Sequence, residues 1–293
     1  MLSDITKEYY KEATLEHRKT LGQYMTPYDI VEETLKSINN KKFKKILEPS
    51  CGTGQFIDKI LTQINICTKN TKISGIELDK KIFDVINTKF KDNKKVTILN
   101  EDFLLFDFKD EKYDLIIGNP PYFEIDKKNE SYTKIITKYK EYLNGRINIY
   151  SLFLKKSIEI LEEDGILLFV IPTSLLSSKY FEGIRKNIVS TCNIIKIDIL
   201  NSDNFEDALQ QTMIFGIQKL KQNEKSDNKY IIKLGNTIIF NTEYEKYNLE
   251  LQNKKFIKDL NCTVKTGSVV WNQHKESLTN EKKNSKKDNI ELI

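Results

Sequence analysis

An α/β fold, with a mostly parallel sheet covered by helices on both faces, is what this sequence predicts, and three observations predict it. Short runs rich in Ile, Leu and Val alternate with longer stretches whose apolar residues recur at helical spacing. A glycine-bearing turn, Cys51-Gly52-Thr53-Gly54, follows the first of those runs. Acidic or amide residues stand at the carboxyl ends of four successive strands, the end where open α/β sheets bind ligands. A length of 293 residues accommodates one large domain of this kind, alone or with a smaller second piece.

The elements follow in order. Ile5 to Lys19 reads as a polar helix. Thr26 suits an N-cap, Pro27 the first helical position, and Asp29 completes a capping-box pattern. A helix is therefore expected from Tyr28 to Ser37, with Ile30, Val31, Thr34, Leu35 and Ile38 on its inner side. Lys45–Glu48 reads as a strand, and Phe56, Ile57, Ile60, Leu61 and Ile64 mark the inner face of the helix after the glycine turn. Lys72–Leu78 is a strand, Lys80–Phe90 a helix, Val96–Leu99 a strand and Tyr113–Gly118 the fourth strand. A polar loop is expected from Phe123 to Asn148, then a helix at Tyr150–Leu161, a strand at Gly165–Ile171, a helix at Lys179–Ile188 and strands at Ile194–Leu200 and Gln211–Leu220. The last two strands have no helix between them, so they are expected to pair antiparallel at one edge.

After Gln222 the composition shifts. Gln222–Lys229 is polar, Gly235-Asn236 joins two short apolar runs in a plausible hairpin, Leu249–Leu260 is helical in pattern and Val264–Trp271 is β-like. Ser277–Asn289 is a charged run, and Ile290–Ile293 resembles the start of a strand. The expected division is a sheet domain over 1–221, a linker with a connecting hairpin and helix over 222–262, and the start of a second, incomplete domain over 263–293.

Hydrophobic residues make up 39% of the chain and charged residues 30%, as in soluble globular proteins. No apolar run approaches the roughly 18 residues that span a bilayer, and the N-terminus, charged from Asp4, has no signal-peptide core. A cytoplasmic location without membrane attachment is expected. Cys51, Cys67, Cys192 and Cys262 lack paired short spacing, and with two histidines no metal cluster is visible. The net charge of +5 is a weak bias towards polyanions.

The most informative residues are Asn119-Pro120-Pro121-Tyr122, directly after the fourth strand. They place a planar amide, a rigid kink and an aromatic ring together at a ligand-binding strand end, which suits chemistry on a flat, weakly nucleophilic nitrogen. The three preceding strand ends are complementary. Gly52 and Gly54 let backbone approach a ligand closely, although a third dinucleotide-type glycine and a P-loop lysine are both missing. Glu77 can accept hydrogen bonds from both hydroxyls of a ribose. Asp102 can accept from an adenine amino group while Phe103 lies against the ring.

The order Leu21–Pro27, Glu48–Phe56, Gly75–Asp79, Glu101–Leu104 and Asn119–Tyr122 resembles the gamma class of S-adenosylmethionine-dependent DNA adenine-N6 methyltransferases, the Taq-type enzymes of restriction-modification systems. The resemblance covers about residues 20 to 220, and Lys265–Lys275 resembles the start of their target-recognition domain. It implies a Rossmann-like methyltransferase sheet, S-adenosylmethionine as cofactor and duplex DNA as partner, with a cognate restriction nuclease or specificity subunit beside it. By that resemblance Thr26 and Pro27 close over the methionine end of the cofactor. Glu48 and the Cys51–Gly54 backbone, with Gly52 and Gly54, hold its amino-acid part. Glu77 binds the ribose, and Leu78 and Phe103 sandwich the adenine, with Asp102 on its amino group. Asn119 also touches the cofactor. Asn119, Pro120 and Tyr122 form the catalytic set, while Pro121, Tyr122 and Phe205 face the flipped base.

The chemistry is consistent. Two acceptors on an adenine amino group, the Asn119 side-chain oxygen and the Pro120 carbonyl, favour a pyramidal nitrogen whose lone pair can attack a sulfonium methyl. The N-methylated product is acidic, so a dedicated general base is not required. Extrusion of the base is needed because its amino group is otherwise buried in the duplex. The same tetrapeptide also serves methylation of a glutamine side-chain amide in a protein; adenine in structured RNA is a third option, and a degenerate DNA-reading subunit is a non-enzymatic one, against which the intact Asn119–Tyr122 argues. The short stretch after Val264 leads to an expectation of cofactor binding with weak or unselective methylation of duplex DNA.

Overall fold

The computed structural model describes residues 6, 25–38, 41–63, 65–126, 128–140, 148–200 and 211–251. Phe205, most of the expected helix at Ile5–Lys19 and the segments expected beyond Leu251 lie outside these residues. The described elements are α1 (Tyr28–Lys36), β1 (Phe43–Glu48), α2 (Gln55–Thr62), β2 (Cys67–Ile76), α3 (Lys80–Phe90), β3 (Val96–Leu99), β4 (Tyr113–Gly118), α4 (Thr133–Lys138), α5 (Ile149–Ile160), β5 (Leu161–Pro172), α6 (Glu182–Thr191), β6 (Cys192–Ile199), β7 (Thr212–Lys219), the hairpin β8 (Ile231–Leu234) and β9 (Thr237–Phe240), and α7 (Tyr244–Leu251).

Seven strands form one sheet in the order β3-β2-β1-β4-β5-β7-β6. The pairs from β3 through β5 are parallel, and β7 runs antiparallel to both β5 and β6. The last two strands therefore pair antiparallel at one edge, with β7 between β5 and the edge strand β6. Burial explains why: the first six residues of β7 are all buried, while β6 alternates buried and half-buried positions and tolerates the edge.

Side chains alternate along each strand and so divide the core in two. Leu115 and Ile117 of β4, with Ile166, Leu168 and Val170 of β5, pack beneath α1, α2 and α3. Ile116 of β4, with Leu167, Phe169 and Ile171 of β5, packs beneath α4, α5 and α6. Each fully buried Ile, Leu or Phe in these layers stabilises the fold by roughly 1.5–3 kcal/mol before entropy is charged.

Three sequence expectations shift. The first helix begins at Tyr28, with Pro27 at the cap position and no side-chain cap; Thr26 is buried in the protein instead of capping. The expected loop between Phe123 and Asn148 contains α4, whose Ile135, together with Tyr139 just beyond its end, enters the core. The hairpin expected within a linker packs on the sheet domain. Ile231 and Phe240 join its core, Phe240 stacks on Phe215 with centroids 6.1 Å apart, and the Phe240 N–H donates to Leu176 O at 2.9 Å. The fully buried Arg185 ties it down, donating to Ile238 O (2.6 Å), Leu175 O (2.9 Å) and Ser178 O (2.8 Å). The first compact unit accordingly extends to Asn248; of the second, only the three residues Leu249 to Leu251 are described. No helix among the described residues is long and apolar enough to cross a membrane.

Candidate active site

A cleft opens at the carboxyl ends of β1 to β4. Pro49, Ser50, Gly52, Glu77, Leu78, Asp102, Phe103, Asn119 and Pro121 line it from the strand ends, and Tyr132, Ile135, Ile149 and Phe153 from the other side. Parallel strands deliver these residues together because their ends coincide: Glu48 pairs with Gly75, and Ile76 with Leu99.

The turn after β1 is built for close approach. Gly52 has φ +48°, and a Cβ there would lie 2.9 Å from the Met25 sulfur. Gly54 has φ +81°, and its Cβ would meet Ile86 Cδ1 at 2.8 Å, so this glycine serves the packing of α2 on α3 rather than ligand contact. Cys51 also departs from its expected place. Its thiol lies in the core, where a Cβ on Gly75 would meet its sulfur at 3.0 Å, and its N–H donates to Ile76 O at 2.9 Å. Neither its side chain nor its amide is offered to a ligand, and burial pushes the thiol well above its ordinary pKa. The turn is braced by a closed circuit that sequence reasoning missed. Thr53 donates to Gln55 Oε1 (2.9 Å), Gln55 Nε2 donates to Thr6 Oγ1 (2.8 Å), and the two threonine hydroxyls meet at 2.6 Å.

Two acids are buried beside this turn. Glu77 is fixed through both oxygens: the Gly52 N–H donates to Oε2 at 2.9 Å and the Asp79 N–H to Oε1 at 2.8 Å. Burial outweighs these bonds and pushes its pKa up to about 7. Glu48 is raised well above the usual carboxylate range, first by burial and further by Asp58 and Glu77. Its Oε2 is buried and accepts no hydrogen bond among the described residues. Such an orphaned oxygen beside a glycine cradle fits a ligand bearing an ammonium group. Thr26 and Pro27 do not line the cleft; Met25, one residue earlier, does.

Leu78 is exposed and Phe103 buried, and both line the cleft. Asp102 caps a single helical turn: its Oδ1 accepts the Leu104 N–H at 2.8 Å, and its carbonyl accepts the N–H groups of Leu105 (3.0 Å) and Phe106 (2.8 Å). Asp79, at the start of α3, caps that helix, accepting the Lys81 N–H at 2.8 Å.

At the end of β4, Asn119 O accepts from Ser50 Oγ at 3.1 Å, tying the two loops together. The Tyr122 hydroxyl lies within reach of Asn119 Oδ1 and of Val170 O (2.6 Å), and its single O–H donates to one of them at a time. Its ring stands perpendicular to that of Tyr150, with centroids 6.4 Å apart. Tyr122 itself does not line the cleft, whereas Pro121 and Phe123 on either side do. Pro120 is buried. Tyr132, Ile135, Ile149 and Phe153 were not foreseen as lining residues; the spacing Tyr132, Ile135, Ile136, Tyr139 carried a helical signal that the polar surroundings masked. Among the described residues no group of three or more His, Cys, Asp or Glu is placed to hold a metal.

A family model described as Eco57I restriction-modification methylase matches residues 29–205. The type II methyltransferase M.AccI of Acinetobacter calcoaceticus is 34% identical over 250 residues, which cover 78% of this chain and 45% of that protein. The modification methylase CviBIII of Paramecium bursaria Chlorella virus NC1A is 35% identical over 209 residues, 70% of this chain and 52% of that protein. The chain thus spans about half the length of these relatives. Among solved structures, the type IIG restriction endonuclease BpuSI superposes with a TM-score of 0.53 at 19% identity, over 69% of this chain and 26% of that one, a likeness of fold.

Proposed function

The chain belongs to the Eco57I restriction-modification methylase family, and from that premise we propose that it transfers a methyl group from S-adenosylmethionine to the N6 amino group of an adenine turned out of duplex DNA. The observation that carries this reading is that Asn119 and Pro121 share one cleft with Gly52, Glu77, Leu78, Asp102 and Phe103.

The bound cofactor supplies an electrophilic methyl on a sulfonium. Glu48, whose orphaned oxygen calls for a cation, and the Gly52 turn hold the amino-acid end, under Met25. Glu77, held rigid by two backbone donors, accepts from the ribose hydroxyls with its remaining lone pairs. Leu78 and Phe103 pack on the two faces of the adenine, and Asp102 accepts from its amino group.

Asn119 Oδ1 and the Pro120 carbonyl accept the two N–H bonds of the target amino group. They draw its lone pair out of conjugation and stabilise the positive charge that develops on nitrogen. No side chain need remove a proton first, which agrees with the lack of an ionisable group in Gly118–Pro121. Tyr122, its hydroxyl held beside Asn119 Oδ1 and Val170 O, and Phe205 are assigned to the faces of the extruded base. A cognate restriction nuclease or specificity subunit completes the system, in the cytoplasm.

Incubation of the protein with isotopically labelled S-adenosylmethionine and unmethylated plasmid, followed by digestion to nucleosides and mass spectrometry, tests this. Label in N6-methyldeoxyadenosine is expected. Label confined to methylcytosine, to RNA or to protein glutamine overturns the assignment.

A further inference from the structure

Resting on that reading, we infer that Lys156 of α5 is a positioning residue for the cofactor, because it clamps the open end of the turn that carries Asp102 and Phe103 into the cleft. Asp102 begins that turn, and a single turn leaves its later carbonyls without intrahelical partners. Lys156 Nζ donates to Phe103 O and to Phe106 O, the latter at 2.6 Å. The carbonyl between them, Leu104 O, accepts from Lys138 Nζ at 2.7 Å and from Tyr139 Oη at 3.0 Å.

The site is built rather than incidental. Lys156 is 5% exposed. Its ammonium lies over the rings of Phe103 (5.1 Å) and Phe108 (5.0 Å), and no carboxylate lies within ion-pair distance among the described residues. Burial first, and Lys138 next, lower its pKa to about 7, while Asp102 and Glu159 pull the other way. A buried lysine kept at such a cost, with its charge spent on two backbone carbonyls, marks a turn whose place matters. The turn's other face is the cleft wall: Phe103 packs on Phe153 with centroids 4.8 Å apart, and both line the cleft. Lys156 does not itself line the cleft and acts through Asp102 and Phe103.

The test is calorimetry with S-adenosylhomocysteine and its inosine analogue, in which the adenine amino group becomes a carbonyl. Lys156→Met is expected to weaken S-adenosylhomocysteine binding at least tenfold and to shrink the preference for it over the inosine analogue at least fivefold. A merely loosened fold would lower both affinities together and keep the ratio. Lys156→Arg, which can reach both carbonyls and lie over the rings, should restore the ratio to within twofold. Should Lys156→Met fail to fold, Lys156→Gln, which retains one donor group, is expected to weaken binding three- to tenfold with a reduced ratio. A folded variant with unchanged affinity and ratio overturns the role of Lys156 alone. Wild-type protein that binds neither ligand overturns the functional reading beneath it.

Discussion

The two halves of the cleft are built from different chemistry. The β1–β3 half is lined by the carboxyl groups of Glu77 and Asp102, each accepting backbone N–H groups, with Glu48 buried beside the glycine turn. The β4–β5 half, where transfer is assigned, relies on an amide, two prolines and a phenol anchored on Val170 O. In the first half burial pushes the Glu77 pKa up to about 7, whereas Gly118–Pro121 in the second carries no ionisable side chain. Binding should therefore answer to pH and transfer should not, a separation that suits an acceptor nitrogen needing no prior deprotonation.

The largest effect expected is on the neutral half. Asn119→Ala should lower single-turnover methylation by about 10²–10³-fold, the loss seen when one electrostatic group aimed at a developing charge is removed. S-adenosylhomocysteine affinity should change by less than about fivefold on the same scale. Comparable losses in both would mean that the halves are not separable.

Next comes Glu77→Gln. The amide puts an NH₂ against either the Gly52 or the Asp79 N–H, donor against donor in a buried site. A cost of about 2–3 kcal/mol, or a roughly 30–150-fold weaker cofactor Kd, is expected. The pH profile sharpens the same point. With its folded pKa near 7, Glu77 is mostly ionised at pH 8 and mostly protonated at pH 6. Wild-type Kd should therefore rise as pH falls through 7, by up to about tenfold per unit, and Glu77→Gln should flatten the curve. The stability sign is opposite. A carboxyl whose folded pKa lies above its unfolded value contributes stability below about 4.5 that is lost as pH rises to about 7. Unliganded protein should lose up to roughly 3 kcal/mol from this group over that interval, as read by urea unfolding. The smallest effect belongs to Gly54→Ala, where φ +81° and the approach to Ile86 should cost about 1–3 kcal/mol of stability.

The contrast also shows how far the sequence was legible. Strong local signals located β3, β4 and α3 to the residue, because short apolar runs with clear turn residues at both ends have one compatible register. Asn119, Glu77 and Asp102 were found for a related reason: a strand end in a parallel sheet is a ligand site wherever the chain continues afterwards. Reading failed where the answer depends on a distant partner. Nothing local distinguishes Gly52, which faces the cleft, from Gly54, which faces Ile86. Lys156 was invisible as well, since a lysine in an amphipathic helix is ordinarily a solvated one.

The layered α/β architecture, the four strand ends and the residue types available for binding and transfer are all written in the chain locally. These follow from periodicity and turn chemistry, which act over a few residues. Only the tertiary structure decided that β7 inserts between β5 and β6, that the hairpin Ile231–Phe240 joins the sheet domain's core, and that Lys156 holds the Asp102 turn. Each of those outcomes is settled by contacts between residues far apart in the chain, where burial and the need to pair every buried polar group select the arrangement.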